Sequence, residues 1–203
     1  MIVQKPAPAN QQPDTFEFTA ENIEKAKGVI GRYPEGREAS AIMPLFDLAQ
    51  RQNAGWLPTA AMNYIADMIG VTRMRAYEVA TFYSMFNLSP IGKFLVRVCT
   101  TTPCELRGSN HVFEACRDAL GININETTAD GMFTLREVEC LGACVNAPVV
   151  WIGDDYYEDV DPEAMRSIIS SLRKGEMPSP GSQSGRQTSA PTGGATTLKG
   201  EAV

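Results

Sequence analysis

Four of the five cysteines in this chain stand in two tight pairs, and no other feature constrains its architecture as strongly. Cys99-Thr-Thr-Thr-Pro-Cys104 has the spacing C-x4-C and Cys140-Leu-Gly-Ala-Cys144 the spacing C-x3-C; 35 residues separate the pairs, and the first 98 residues hold no cysteine. Two such pairs suit two purposes: holding one metal centre from two loops, or cross-linking those loops covalently. A C-x4-C run opens the ligand set of plant-type ferredoxins, although their remaining spacing differs. Both pairs also fall within the loose spacing range of structural zinc sites. Spacing alone leaves iron–sulfur, zinc and disulfide readings open.

Composition narrows the choice. The N-terminus, MIVQKPAPANQQPDTFEF, lacks a signal-peptide apolar core and an Arg-rich presequence, which predicts a cytoplasmic chain or one whose targeting segment has been removed. Thiols in a reducing compartment stay reduced, and this weakens the disulfide reading. The net charge of −6 argues against nucleic-acid phosphates as a partner. No apolar run approaches the roughly 20 residues of a membrane-spanning helix, so direct membrane insertion is not expected. A Rieske centre needs two histidine ligands, and His111 is the only histidine. No GxGxxG turn, P-loop or nucleophile elbow occurs, and no C-x2-C redox motif. The chain shows no substrate site of its own and no catalytic residue. If the cysteines hold an electron-carrying centre, it must work beside proteins that have a substrate site.

Read in order, residues 1–18 are a polar, Pro-rich, flexible lead. Residues 19–88 predict a helical subdomain of four short helices. The first runs from Ala20 to about Tyr33 with Thr19 as N-cap, the second from Ser40 to Gln52, with Pro44 near its first turn. The third starts at Pro58 and ends at Gly70, and Thr72 caps the fourth. Phe82, Tyr83 and Phe86 are expected as core packing, with a partner-facing patch as the alternative.

Residues 89–175 change to a β-α-β-β-α order. Phe94–Val98 reads as a buried strand ending on Cys99, followed by a helix from Gly108 to Leu120. Phe133–Val138 alternates like a strand and runs toward Cys140, and 148–152 and 156–160 form a hairpin across Gly153-Asp154-Asp155. Asp161-Pro162-Glu163 opens a last helix that Gly175 ends. This predicts an α+β chain: an N-terminal helical subdomain, a thioredoxin-like domain and a flexible C-terminal tail. Sixteen of the 28 residues in 176–203 are Gly, Pro, Ser or Thr, too apolar-poor to order alone, so deleting the tail is expected to spare any metal centre.

Within the ligand loops, Gly108, Gly142 and Ala143 offer backbone amides to sulfur, Gly142 above all because no Cβ blocks its approach. Seven acids and no Lys or Arg lie from Glu137 to Asp161, which predicts a low reduction potential for a metal centre there. His111 and Cys116 sit in the helix after the first pair and are expected to be an ordinary helix residue and a buried inert thiol.

CTTTPC at 99–104, ECLGAC at 139–144, NAP at 146–148 and YEVATFYSMF at 77–86 resemble the thioredoxin-like [2Fe–2S] subunit of NADH:quinone oxidoreductase, respiratory complex I, over roughly residues 16–175. The resemblance implies a thioredoxin-like ferredoxin domain and one [2Fe–2S] cluster held by Cys99, Cys104, Cys140 and Cys144, with the first pair on one iron and the second on the other. It also implies an electron-transfer subunit of the respiratory chain translocase, beside the NADH- and FMN-binding flavoprotein and other peripheral-arm subunits. Its cluster would exchange electrons with the flavin. Such a subunit lies on the cytoplasmic, inner face of the membrane, or the matrix side in a mitochondrion. Two alternatives are an equivalent subunit of an NAD-linked formate dehydrogenase or hydrogenase, and a zinc-stabilised interaction module without redox chemistry.

Overall fold

The computed structural model describes residues 5–189. The chain divides into two compact units, residues 1–91 and 92–203, each with its own hydrophobic core.

The first unit contains α1 (Ala20–Ile30), α2 (Ile42–Gln52), α3 (Thr59–Met68) and α4 (Arg73–Phe82). Local signals set their starts: the Thr19 hydroxyl accepts from Asn22 N–H and the Thr72 hydroxyl from Arg75 N–H, both at 3.2 Å. The second helix differs from expectation: Glu38–Ala41 is a turn of 3-10 helix, and the α-helix begins at Ile42. Pro44 is therefore its third residue, where a backbone N–H has no intrahelical acceptor to lose. Pro58 is the N-cap of α3 rather than its first residue.

Leu45, Phe46, Leu57, Ile65, Phe86 and Leu88 fill this core, with Phe46 and Phe86 edge to face at 5.4 Å. Phe82 and Tyr83 do not join it, being 67% and 38% exposed. The buried face of α4 is Ala76, Val79 and Ala80, and the helix ends at Phe82, so the chain turns away before that face reaches Tyr83. The lead is also less free than expected. Ala7 N–H donates to Leu88 O at 2.9 Å, and Phe16 and Phe18 pack edge to face on Tyr64. Two aromatic side chains give this polar stretch an anchor that its average composition hides.

The second unit is built on a sheet of β1 (Phe94–Cys99), β2 (Phe133–Val138), β3 (Val150–Ile152), β4 (Asp155–Glu158) and β5 (Gly181–Ser182), in the order β2-β1-β3-β4-β5. The central strand β1 runs parallel to β2 and antiparallel to β3. Period-2 alternation turns Val96 and Val98 to the same core as Phe133, Leu135, Val150 and Ile152. Two helices, α6 (Ser109–Leu120) and α7 (Pro162–Lys174), cover it with Val112, Cys116, Met165, Ile168 and Leu172. Asp161 caps α7 by accepting from Ala164 N–H at 2.7 Å, and Gly175 closes it in the left-handed region. Gly92 admits no side chain, since a Cβ there would lie 2.8 Å from the backbone of Phe133.

Two elements depart from expectation. Thr102–Leu106 forms a short helix, α5, which the predicted loop between β1 and α6 lacks. Residues 176–189 are not a free tail: β5 pairs in parallel with β4, and Tyr157 Oη donates to Pro178 O at 3.2 Å. Composition measures what a segment can bury alone, whereas here the open edge of β4 supplies the hydrogen bonds. The remainder of the predicted tail, 190–203, lies outside the described residues.

Candidate metal centre

Parallel pairing brings the two cysteine loops together. The register aligns Cys99, the last residue of β1, with Val138, the last of β2, so both strands deliver their following loops to one edge of the sheet. Cys104 lies in α5 and Cys144 opens a 3-10 turn, Cys144–Asn146. Cys99 and Cys104 are buried, Cys144 half-buried and Cys140 exposed, so the second pair faces the surface. Ala143, Ala147 and Val149 form an apolar wall around Cys99 and Cys104.

All four thiols are free. The Sγ atoms of Cys140 and Cys144 lie 3.3 Å apart, far beyond the roughly 2.05 Å of a disulfide. Gly142 N–H donates to Cys140 Sγ at 3.4 Å, from a backbone with φ of +83°. Thr101 Oγ1 lies 3.3 Å from Cys99 Sγ and also bonds Cys140, tying the first loop to the second pair.

The thiols differ electrostatically. Burial, and then the hydrogen bond with Cys99, pushes Cys104 up to about 12. The Gly142 N–H, assisted by Cys144 and Thr101, draws Cys140 below the usual thiol range. The hydrogen bond to Cys140, and then burial, raises Cys144. Thiolates are the metal-binding form, so a metal binding here would displace protons.

The donor set is sulfur alone. His111 is exposed, with Glu114 as its near neighbour at 3.6 Å. A binuclear cluster takes two thiolates on each of two irons, and four free thiols arranged in two pairs fit that requirement. Cys116 is buried between α6 and the sheet, with burial pushing its thiol up to about 12, and it belongs to the core of the second unit.

The acidic run is less uniform than it reads. Asp159 is bound by Arg186, and Asp154 acts favourably on the buried Arg97, whose charge burial and Arg136 oppose. Arg97 also stacks on Trp151 at 3.8 Å. Sequence reading missed Thr101 and Arg186. The run of threonines between two cysteines was the visible signal for the first; for the second, a lone Arg in a Gly/Ser tract gave none.

The model of the thioredoxin-like [2Fe-2S] ferredoxin family matches residues 26–173. An NADH-quinone oxidoreductase subunit of Rickettsia bellii is 56% identical over 164 residues, which cover 81% of this chain and 98% of that protein. A second relative is the mitochondrial NADH dehydrogenase [ubiquinone] flavoprotein 2 of Dictyostelium discoideum, 46% identical over 93% of this chain and 76% of its own length. Among solved structures, an NAD+-reducing [NiFe]-hydrogenase superposes with a TM-score of 0.56 at 18% identity, over 64% of this chain and 23% of that one, a likeness of fold alone. No helix among the described residues is long and apolar enough to cross a membrane. The chain belongs to the thioredoxin-like [2Fe-2S] ferredoxin family, together with these NADH-quinone oxidoreductase subunits.

Proposed function

We propose that Cys99 and Cys104 ligate one iron and Cys140 and Cys144 the other of a single [2Fe–2S] cluster, through which this chain exchanges electrons with the FMN of a neighbouring NADH-oxidising flavoprotein. The observation that carries the reading is the gathering of four free thiols, in two pairs, at the shared end of β1 and β2. Such a cluster supplies reversible one-electron transfer. The chain's own residues do the rest. Burial of Cys99 and Cys104 excludes water from one side, while the exposure of Cys140 leaves the other side open to a partner. Gly142 N–H donates toward sulfur, and the Thr101 hydroxyl would donate toward a Cys99 thiolate, which favours the more negative, reduced state. By this reading the chain sits peripherally on the inner face of the membrane, where the flavoprotein meets NADH.

The test is reduction by NADH. The purified chain mixed with the flavoprotein should show a reduced-cluster EPR signal after NADH is added, and the chain alone should not. Absence of a signal in the mixture, with dithionite still producing one, would remove the flavin as the electron partner.

A further inference from the structure

The Cys144–Asn146 turn has little to hold it from within. Its own backbone bonds are Asn146 N–H to Ala143 O at 3.0 Å and Ala147 N–H to Cys144 O at 3.3 Å, and Val145 is 73% exposed. The segment after α7 supplies what is missing. Just after β5, Gln183 N–H donates to Glu158 O at 2.8 Å, and the Ser189 N–H donates to the Glu158 carboxylate at 2.9 Å. Between these ends the chain passes beside the turn. The Arg186 guanidinium donates to Val145 O at 3.1 Å, and the Asn146 side-chain amide donates to Gln187 O at 2.8 Å.

Asp159 joins the two. Its backbone takes a left-handed φ of +53°, unusual for a residue with a Cβ, and its N–H donates to Asn146 O at 2.7 Å. Its carboxylate accepts from the Asn146 amide at 2.8 Å, from the Ser182 hydroxyl at 2.6 Å and from Arg186. The Asp159 side chain is 6% exposed and the Arg186 side chain 55%, so solvent screens the pair from one side, and the bonds from Asn146 and Ser182 complete the junction.

We infer that residues 181–189 are a strap that fixes the ligand turn of Cys144, with Arg186 and Asp159 as its positioning residues. The inference rests on the proposed ligand role of Cys144. It reverses the expectation that removing residues 176–203 spares the cluster.

The experiment compares full-length chain carrying its cluster with Arg186→Ala, Arg186→Lys, a truncation after Pro180 and one after Ser189. Each is challenged with an iron chelator and its dithionite-reduced EPR spectrum recorded. Hydrogen exchange of the 144–147 segment is read on the same preparations. Arg186→Ala and the truncation after Pro180 should lose iron several-fold faster, with altered g-values and faster exchange at 144–147. Arg186→Lys should restore part of the loss, and the truncation after Ser189, which keeps every contact named above, should match the unmodified chain. Identical rates, spectra and exchange in all of them would overturn the strap. Failure of the cluster reading would show instead in the unmodified chain, as no reduced-state signal, and exchange at 144–147 would still decide the strap.

Discussion

The Sγ of Cys140 lies 3.3 Å from the Sγ of Cys144, and the N–H of the intervening Gly142 donates to Cys140 Sγ at 3.4 Å. Gly142 sets this geometry by taking a φ of +83° midway between them. A Cβ there would meet nothing within 4 Å, so Gly142→Ala tests conformation without a clash. The substitution should lower stability by about 1–2 kcal/mol, the cost of holding an L-residue in the left-handed region. Thermal unfolding checks this, and an unchanged midpoint would mean that the loop adopts another path at no cost.

Thr101 should tune the potential of the cluster. Its hydroxyl, 3.3 Å from Cys99 Sγ, becomes a donor once that sulfur is a metal-bound thiolate. A hydrogen bond to sulfur stabilises the reduced state, so Thr101→Val should shift the midpoint potential to more negative values, and Thr101→Ser should return most of the shift. EPR-monitored redox titration reads both. Equal potentials in all three chains would assign the hydroxyl no electronic role.

In the helical unit, Phe86 and Phe82 should behave oppositely. Phe86 is 1% exposed against Phe46, and its replacement by Ala should cost about 3–5 kcal/mol. Phe82, 67% exposed, should change stability by no more than about 0.5 kcal/mol on replacement by Ser. Denaturant unfolding of the two variants distinguishes them, and a large loss from Phe82→Ser would mean that this side chain packs in a core.

Asp159 gives a pH dependence of known sign. Burial works against its ionisation, but hydrogen bonds from Arg186, Ser182 and Asn146 outweigh that and hold the carboxyl at about 2. In the unfolded chain the value is about 3.9. The folded state therefore binds fewer protons, and the stabilisation is present above about pH 4 and fades as pH falls through about 2. The unmodified chain should be more thermostable than Asp159→Asn at neutral pH, with the gap closing over that window. A gap independent of pH would remove the carboxylate charge as its cause.

Features encoded locally were legible in the sequence. Thr19, Thr72 and Asp161 cap the helices they were expected to cap, because an N-cap needs only a side-chain oxygen and the next three residues. The β1 and β2 strands were legible from their apolar runs and alternation. Features fixed by distant partners were not. β5 exists because β4 presents an open edge, Phe16 and Phe18 are anchored by Tyr64, and Arg186 matters because Asp159 and Val145 lie opposite it. At the candidate site, the pairing of thiols was readable from spacing, while the helix carrying Cys104 was hidden in a five-residue stretch with only one turn of periodicity.

The most direct test is metal and acid-labile sulfide analysis of the anaerobically purified chain, with EPR after dithionite reduction, beside Cys104→Ser and Cys116→Ala. Four thiolates in two pairs predict about two irons and two sulfides per chain with a reduced-state signal. That signal should be lost or altered in Cys104→Ser, where an alkoxide replaces a buried thiolate, and unchanged in Cys116→Ala. One zinc per chain with no signal, or iron lost on replacing Cys116, would contradict the assignment of these four cysteines to a binuclear cluster.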